Sequence, residues 1–119
     1  MQTLNLPFPP SVNHYWRRVG PRTLISRQGR EFRQRVCSIL AAQRITPVVG
    51  SLEVEVDLFP PDRRRRDIDN FQKGLLDALE HAGVYENDSQ IEMLTIRRCQ
   101  RVAGGRVVVR IKEQSRACS

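Results

Sequence analysis

The sequence predicts an α+β fold, a single domain in which a mixed β-sheet carries two helices in the order β-α-β-α-β-β. Residues Ser51 to Phe59 alternate Leu52, Val54, Val56 and Leu58 with Glu53, Glu55 and Asp57, the period of a strand with one buried face. Two other stretches, after Ser26 and after Asp69, repeat apolar residues at helical spacing instead. A chain of 119 residues has room for one modest core around such elements.

Gln2 to Leu6 reads as a short strand, with Leu4 and Leu6 on one side, stopped by Pro7-Phe8-Pro9-Pro10. Ser11 to Arg18 interleaves aromatic and basic residues without periodicity and runs into Gly20-Pro21. It is expected to form an irregular arm whose Asn13, Tyr15, Trp16, Arg17 and Arg18 lie along a phosphate backbone or stack on an unpaired base. Tyr15 and Trp16 equally suit a second role, closing one end of the core. Ser26 caps a helix running to about Gln43, because Phe32, Val36, Ile39 and Leu40 fall at i, i+4, i+7 and i+8. Pro47 and Gly50 end that segment and the alternating strand follows. Pro60-Pro61 then delivers the loop Asp62-Arg63-Arg64-Arg65-Arg66-Asp67. Phe71, Leu75, Ala78, Leu79 and Ala82 form the buried stripe of the second helix, Gly83 stops it, and His81 stands at its cation-favouring end. Ile91 to Gln100 and Arg106 to Lys112 read as two strands joined in a hairpin through Ala103-Gly104-Gly105. Residues 113–119 read as a frayed tail.

Twenty Lys and Arg against thirteen Asp and Glu leave a net charge of +7, and Lys73 and Lys112 are the only lysines. The charge is therefore almost all guanidinium, the group suited to bidentate phosphate contact, which favours nucleic acid over a generic basic surface. Cys37, Cys99 and Cys118 are odd in number and lack zinc spacing, which points to a reduced, cytoplasmic protein. The amino-terminal apolar run is too short for a signal peptide, and no stretch is long enough to span a membrane.

The chemistry concentrates between Asp62 and Asp88. Asp67 and Asp69 flank Ile68, Lys73 follows Asp69 by four positions, and Asp88 stands in the turn Glu86-Asn87-Asp88-Ser89. Carboxylates brought together raise one another's pKa unless a hard cation joins them, and Mg²⁺ sites use such carboxylates with substrate phosphate. An arginine strip beside them describes a metal-dependent phosphodiesterase. A structural reading stands beside it, with Asp69 as a helix cap, Lys73 bridging Asp69 and Asp77, and the arginines as a solvated loop. The acidic face of the alternating strand either lends a further ligand or is simply solvated. A nucleotide enzyme would need a phosphate-cradling glycine loop, which is missing, so no nucleotide cofactor is expected. If the strands before Asp62 and after Asp88 are parallel neighbours, the helix between them is a crossover, and loop curvature must bring the three aspartates together. A separation of about 15 Å would exclude shared coordination.

The segments LPFPPSVNHYWR, RTLISRQGREFR and PDRRRRDIDNFQKGLLDALEHAGVYENDSQI, with the late Gly104-Gly105 turn, resemble the RusA family of Holliday junction resolvases over nearly the whole chain. The most specific part is P-D-R-R-R-R-D-x-D-N-x-x-K followed by D-x-Q-I. The resemblance implies a homodimer that binds four-way DNA junctions by structure and cuts two opposed strands, preferring sites 5′ of paired cytosines. It also implies that Asp67, Asp69 and Asp88 form a catalytic set holding Mg²⁺, with Mn²⁺ as a substitute, and that Lys73 is needed for cleavage. Arg63, Arg64, Arg65 and Arg66 would hold the strand in register. The family pattern has Asp-Asp where this chain has Asn87-Asp88, so only Asp88 is carried over. The rival is a non-catalytic DNA-binding module in which the aspartates are caps and ion-pair partners.

Overall fold

Leu52, Val54, Val56 and Leu58 are all buried, so the strand that carries them needs pairing on both edges and cover on one face. The computed structural model, which describes residues 2–114, gives it both. Its elements are β1 (Gln2–Leu6), α1 (Val12–Tyr15), β2 (Trp16–Val19), β3 (Arg22–Ile25), α2 (Arg27–Ala42), β4 (Leu52–Phe59), α3 (Gln72–His81), β5 (Ile91–Arg98) and β6 (Arg106–Glu113). Short 3-10 turns stand at Ile68–Asn70 and Asp88–Gln90. The main sheet has the order β1-β6-β4-β5, with β4 parallel to β5 and antiparallel to β6. The mixed α+β sheet is as predicted.

Its connectivity corrects the hairpin expectation. β5 and β6 do not pair; they flank β4, and the segment from Cys99 to Gly105 arches over the carboxyl end of β4. Cys99 N–H donates to Leu58 O at 2.8 Å and Val102 N–H to Pro60 O at 2.9 Å. The acidic outer face of β4 explains the arrangement. Asp57 is bracketed by Arg97 from β5 at 3.0 Å and Arg110 from β6 at 2.9 Å. Lys112 lies 3.3 Å from Glu53 and 3.7 Å from Glu55. A β5–β6 hairpin would strip β4 of one partner strand and leave those carboxylates half-paired. They are neither bare solvated groups nor ligands in waiting.

The arm also differs from expectation. Ser11 to Arg18 is one helical turn followed by a strand, so the described residues contain three helices rather than two. Trp16 to Val19 pairs antiparallel with Arg22 to Ile25 around Gly20-Pro21, where Gly20 takes φ +62°. Tyr15 is buried beneath α2 and α3. α2 begins where predicted, with the Ser26 hydroxyl accepting from Gly29 N–H at 3.0 Å. Glu113 is still paired, opposite Leu52, so fraying does not begin there; Cys118 and the rest of 115–119 lie outside the described residues.

Candidate functional site

Asp62 organises the arginine loop. Its carboxylate accepts from Arg64 N–H at 3.0 Å, from Arg64 Nε at 3.3 Å and from Arg66 Nη1 at 2.7 Å. The hydrogen bond from Arg66, with that from the Arg64 backbone, holds the Asp62 carboxyl well below the usual carboxylate range. The four arginines are therefore unequal. Arg66 is folded into the loop, its guanidinium 5.6 Å from the Phe8 ring centroid and its carbonyl accepting from Arg98 Nη2 at 2.5 Å. Arg63, Arg64 and Arg65 stay exposed.

Asp67 follows, at the start of the Ile68–Asn70 turn. Its carbonyl accepts from Asn70 N–H at 3.2 Å, while its carboxylate makes no capping bond. Nor does Asp69 cap the second helix, since α3 starts at Gln72 with Phe71 in the cap position. Both carboxylates are exposed and free of the structural duty the sequence allowed them. Lys73 is exposed in the first turn of α3. Asp77 does not bridge to it; Asp77 binds Arg33 Nη2 at 2.7 Å and the Tyr15 hydroxyl at 2.5 Å.

An open groove of ≈ 510 Å³ lies along this loop, lined by Phe8, Pro9 and Phe71 and by Arg64, Arg65, Asp67 and Asn70. Ser11 and His14 line it as well. Sequence reasoning passed over Asp62, Ser11, His14 and Asn70. The Asp62 signal was legible as a side chain returning to its own backbone two residues on, whereas nothing in sequence ties His14 to the arginine loop. Asn13, Arg17 and Arg18 are exposed on the arm. Trp16 packs against the core with its Nε1 buried and unbonded, and Tyr15 has no free face for a base.

Asp88 is elsewhere. Ile91 pairs with Leu52 at the amino end of β4, so the Asp88 turn sits at that end, and Asp88 N–H donates to Glu80 at 2.7 Å near the end of α3. Asp67 and Asp69 sit at the opposite end, where Arg98 of β5 reaches Arg66. The ten residues of α3, about 15 Å of helix, stand between them. Among the described residues no three Asp, Glu, His or Cys side chains are grouped to hold an ion. The convergence expected of Asp67, Asp69 and Asp88 therefore does not occur within one chain: a parallel crossover puts the loop leaving its first strand and the loop entering its second at opposite ends of the sheet. Asn87 has a structural task. Its Oδ1 accepts from Ser89 N–H at 2.8 Å, and Gln90 returns to Asn87 N–H at 2.9 Å while donating to Val48 and Gly50 carbonyls.

A family model described as Endodeoxyribonuclease RusA matches residues 7–112. The "Crossover junction endodeoxyribonuclease rusA" of Enterobacteria phage HK97 is 43% identical over 109 residues, 91% of each chain. The protein of the same description from Enterobacteria phage 82 is 35% identical over 111 residues, 92% of each chain. That of Escherichia coli strain K12 is 35% identical over 112 residues, 93% of each. The matched span takes in β1's exit, the arginine loop, both aspartate positions and the Asp88 turn, and on it the chain belongs to the RusA endodeoxyribonuclease family.

Proposed function

We propose that this protein is a crossover junction endodeoxyribonuclease that binds a four-way DNA junction as a homodimer and cuts paired strands with a divalent cation, Mg²⁺ or in its place Mn²⁺. The observation that carries the reading is the groove, which sets uncommitted carboxylate of Asp67 beside Arg64 and Arg65 at the head of α3. A cation held by carboxylates supplies charge neutralisation at the phosphodiester and an activated water. The chain's own groups do the rest. Arg63, Arg64 and Arg65 bind the backbone on the stage that Asp62 and Arg66 build. Lys73 places a point charge in the first turn of α3, four residues after Asp69.

The described residues of one chain do not furnish three carboxylates at one point, so the dimer is part of the active site in this reading. β5 is an edge strand with Met93 and Leu94 at 47% and 37% exposure, apolar surface that none of the described elements covers. Two β5 edges related by a two-fold axis run antiparallel, which sets the amino end of one beside the carboxyl end of the other. Asp88 of the partner subunit is thereby brought to Asp67 and Asp69, twice per dimer, and a junction with two-fold symmetry meets two sites.

The test is a synthetic mobile four-way junction beside a linear duplex, each with Mg²⁺ and with EDTA. Paired nicks on the junction alone, abolished by EDTA, are expected, and Asp67→Asn should lower the cutting rate by at least about 10²-fold while leaving junction affinity within about two-fold. The lack of three grouped carboxylates among the described residues of one chain favours a second reading, a junction-binding module without catalysis. Wild-type protein that binds the junction and never cuts it in Mg²⁺ or Mn²⁺ would establish that one instead.

A further inference from the structure

The imidazole of His14 lines the groove together with the arginine loop. His14 is exposed, yet held twice. Its carbonyl accepts from the Ser26 hydroxyl, and its Nδ1 lies 2.8 Å from Ser11 Oγ. Ser11 occupies the position that would cap α1, but its side chain makes no capping bond; it is spent on the ring instead. With the hydroxyl donating to Nδ1, the neutral ring carries its proton on Nε2, the nitrogen left unengaged. The same groove is lined by Arg64 and Arg65, which come from a different element, the loop after β4.

We propose that His14, anchored by Ser11, and the exposed arginines Arg64 and Arg65 form a two-sided subsite that takes a backbone phosphate of the DNA strand leading to Asp67. This rests on the nuclease reading above. A phosphate offers acceptors on several sides, and donors from one loop alone leave it free to swing. A donor from the α1 turn fixes it between two elements that the fold holds apart, which sets the register of the strand at the aspartate. Ser11 is the positioning residue: it touches the ring, and the ring touches the strand.

The experiment measures affinity for a synthetic junction without divalent cation, by fluorescence anisotropy, for wild type, His14→Ala, His14→Arg and Ser11→Ala. Thermal unfolding midpoints confirm that each variant is folded. His14→Ala should weaken binding at least about ten-fold, the lower end of the scale of one hydrogen bond to a charged group. His14→Arg keeps a donor at the position and should hold affinity at or above wild type, which a packing role for the imidazole does not predict. Ser11→Ala should lose a smaller share in the same direction. Wild-type affinity in both alanine variants overturns the subsite, as does a His14→Arg protein as weak as His14→Ala. Either result leaves junction cutting by the wild type intact. A wild type that cuts no junction removes the functional reading and the subsite together.

Discussion

Asp57 shows what the charges of this protein do away from the groove. Desolvation pushes its carboxyl up, but hydrogen bonds and charge from Arg110 and Arg97 outweigh burial and hold it below its ordinary value. A carboxyl whose folded pKa is depressed contributes stability that is fully present above the unfolded value, about 3.9, and is lost as pH falls through the folded value. Asp57→Asn should therefore lower stability at pH 7 by about 2–3 kcal/mol, since it leaves the Arg110 guanidinium, 21% exposed, without its nearest carboxylate. Denaturant midpoints for wild type and variant should converge as pH is taken below about 4. An equal gap at pH 7 and pH 3 would assign the loss to shape and not to charge. Asp67, Asp69 and Asp88 differ in kind: all three are exposed, and two of them stand at turns where capping by their side chains is absent.

At the scale of elements, Tyr15 is the pin on which three helices meet. Its ring packs edge-on to Trp16 and Phe32, its hydroxyl joins Asp77 and Arg33, and desolvation together with the Asp77 carboxylate raises its pKa out of the working range. Gly74 is where α3 lets the ring in, because a Cβ there would stand 2.7 Å from Tyr15 Cδ2. Alanine at this site gains helix propensity of about 1 kcal/mol, and overpacking should outweigh it, for a net loss of about 1–2 kcal/mol in chemical denaturation. A Gly74→Ala protein as stable as the wild type would mean the ring moves freely. Gly74 does not announce itself in sequence as a cavity for an aromatic ring, which is why Tyr15 reads there equally as part of a DNA-facing arm and as a closure of the core. Periodic elements were legible: β1, β4, α2 and α3 lie within a few residues of where alternation and helical spacing put them. The pairing of β5 with β6 was not, because a Gly-Gly turn signals a reversal of direction and says nothing about a third strand inserted between the two. Of the candidate site, the arginine loop and the Asp67–Asp69 pair were legible together. The position of Asp88 was legible only to the extent that a parallel crossover separates its two connecting loops.

At the scale of the molecule, that separation makes a prediction that no single-chain site makes. Asp67→Asn and Asp88→Asn homodimers should each be inactive, because every site in either dimer lacks one carboxylate. In a heterodimer of the two, one composite site collects both substitutions and the other collects neither. Equal mixing with free subunit exchange should then restore nicking to about a quarter of the wild-type rate, since half the dimers carry one intact site of two. The product should be a singly nicked junction, as no dimer in the mixture has two working sites. Mixing Asp67→Asn with Asp69→Asn is the control and should restore nothing, because both substitutions fall on the same half of each site. Subunit exchange is verified by co-purification through two different tags. Exchange without recovered nicking would place all ligands in one chain and require the Asp88 turn to travel the length of α3. The same geometry predicts that Met93→Glu with Leu94→Glu, placing like charges along the apolar edge of β5, should give monomers by sedimentation that do not cut. A dimer that persists and cuts with both glutamates in place would move the interface off β5, and with it the means by which Asp88 reaches the groove.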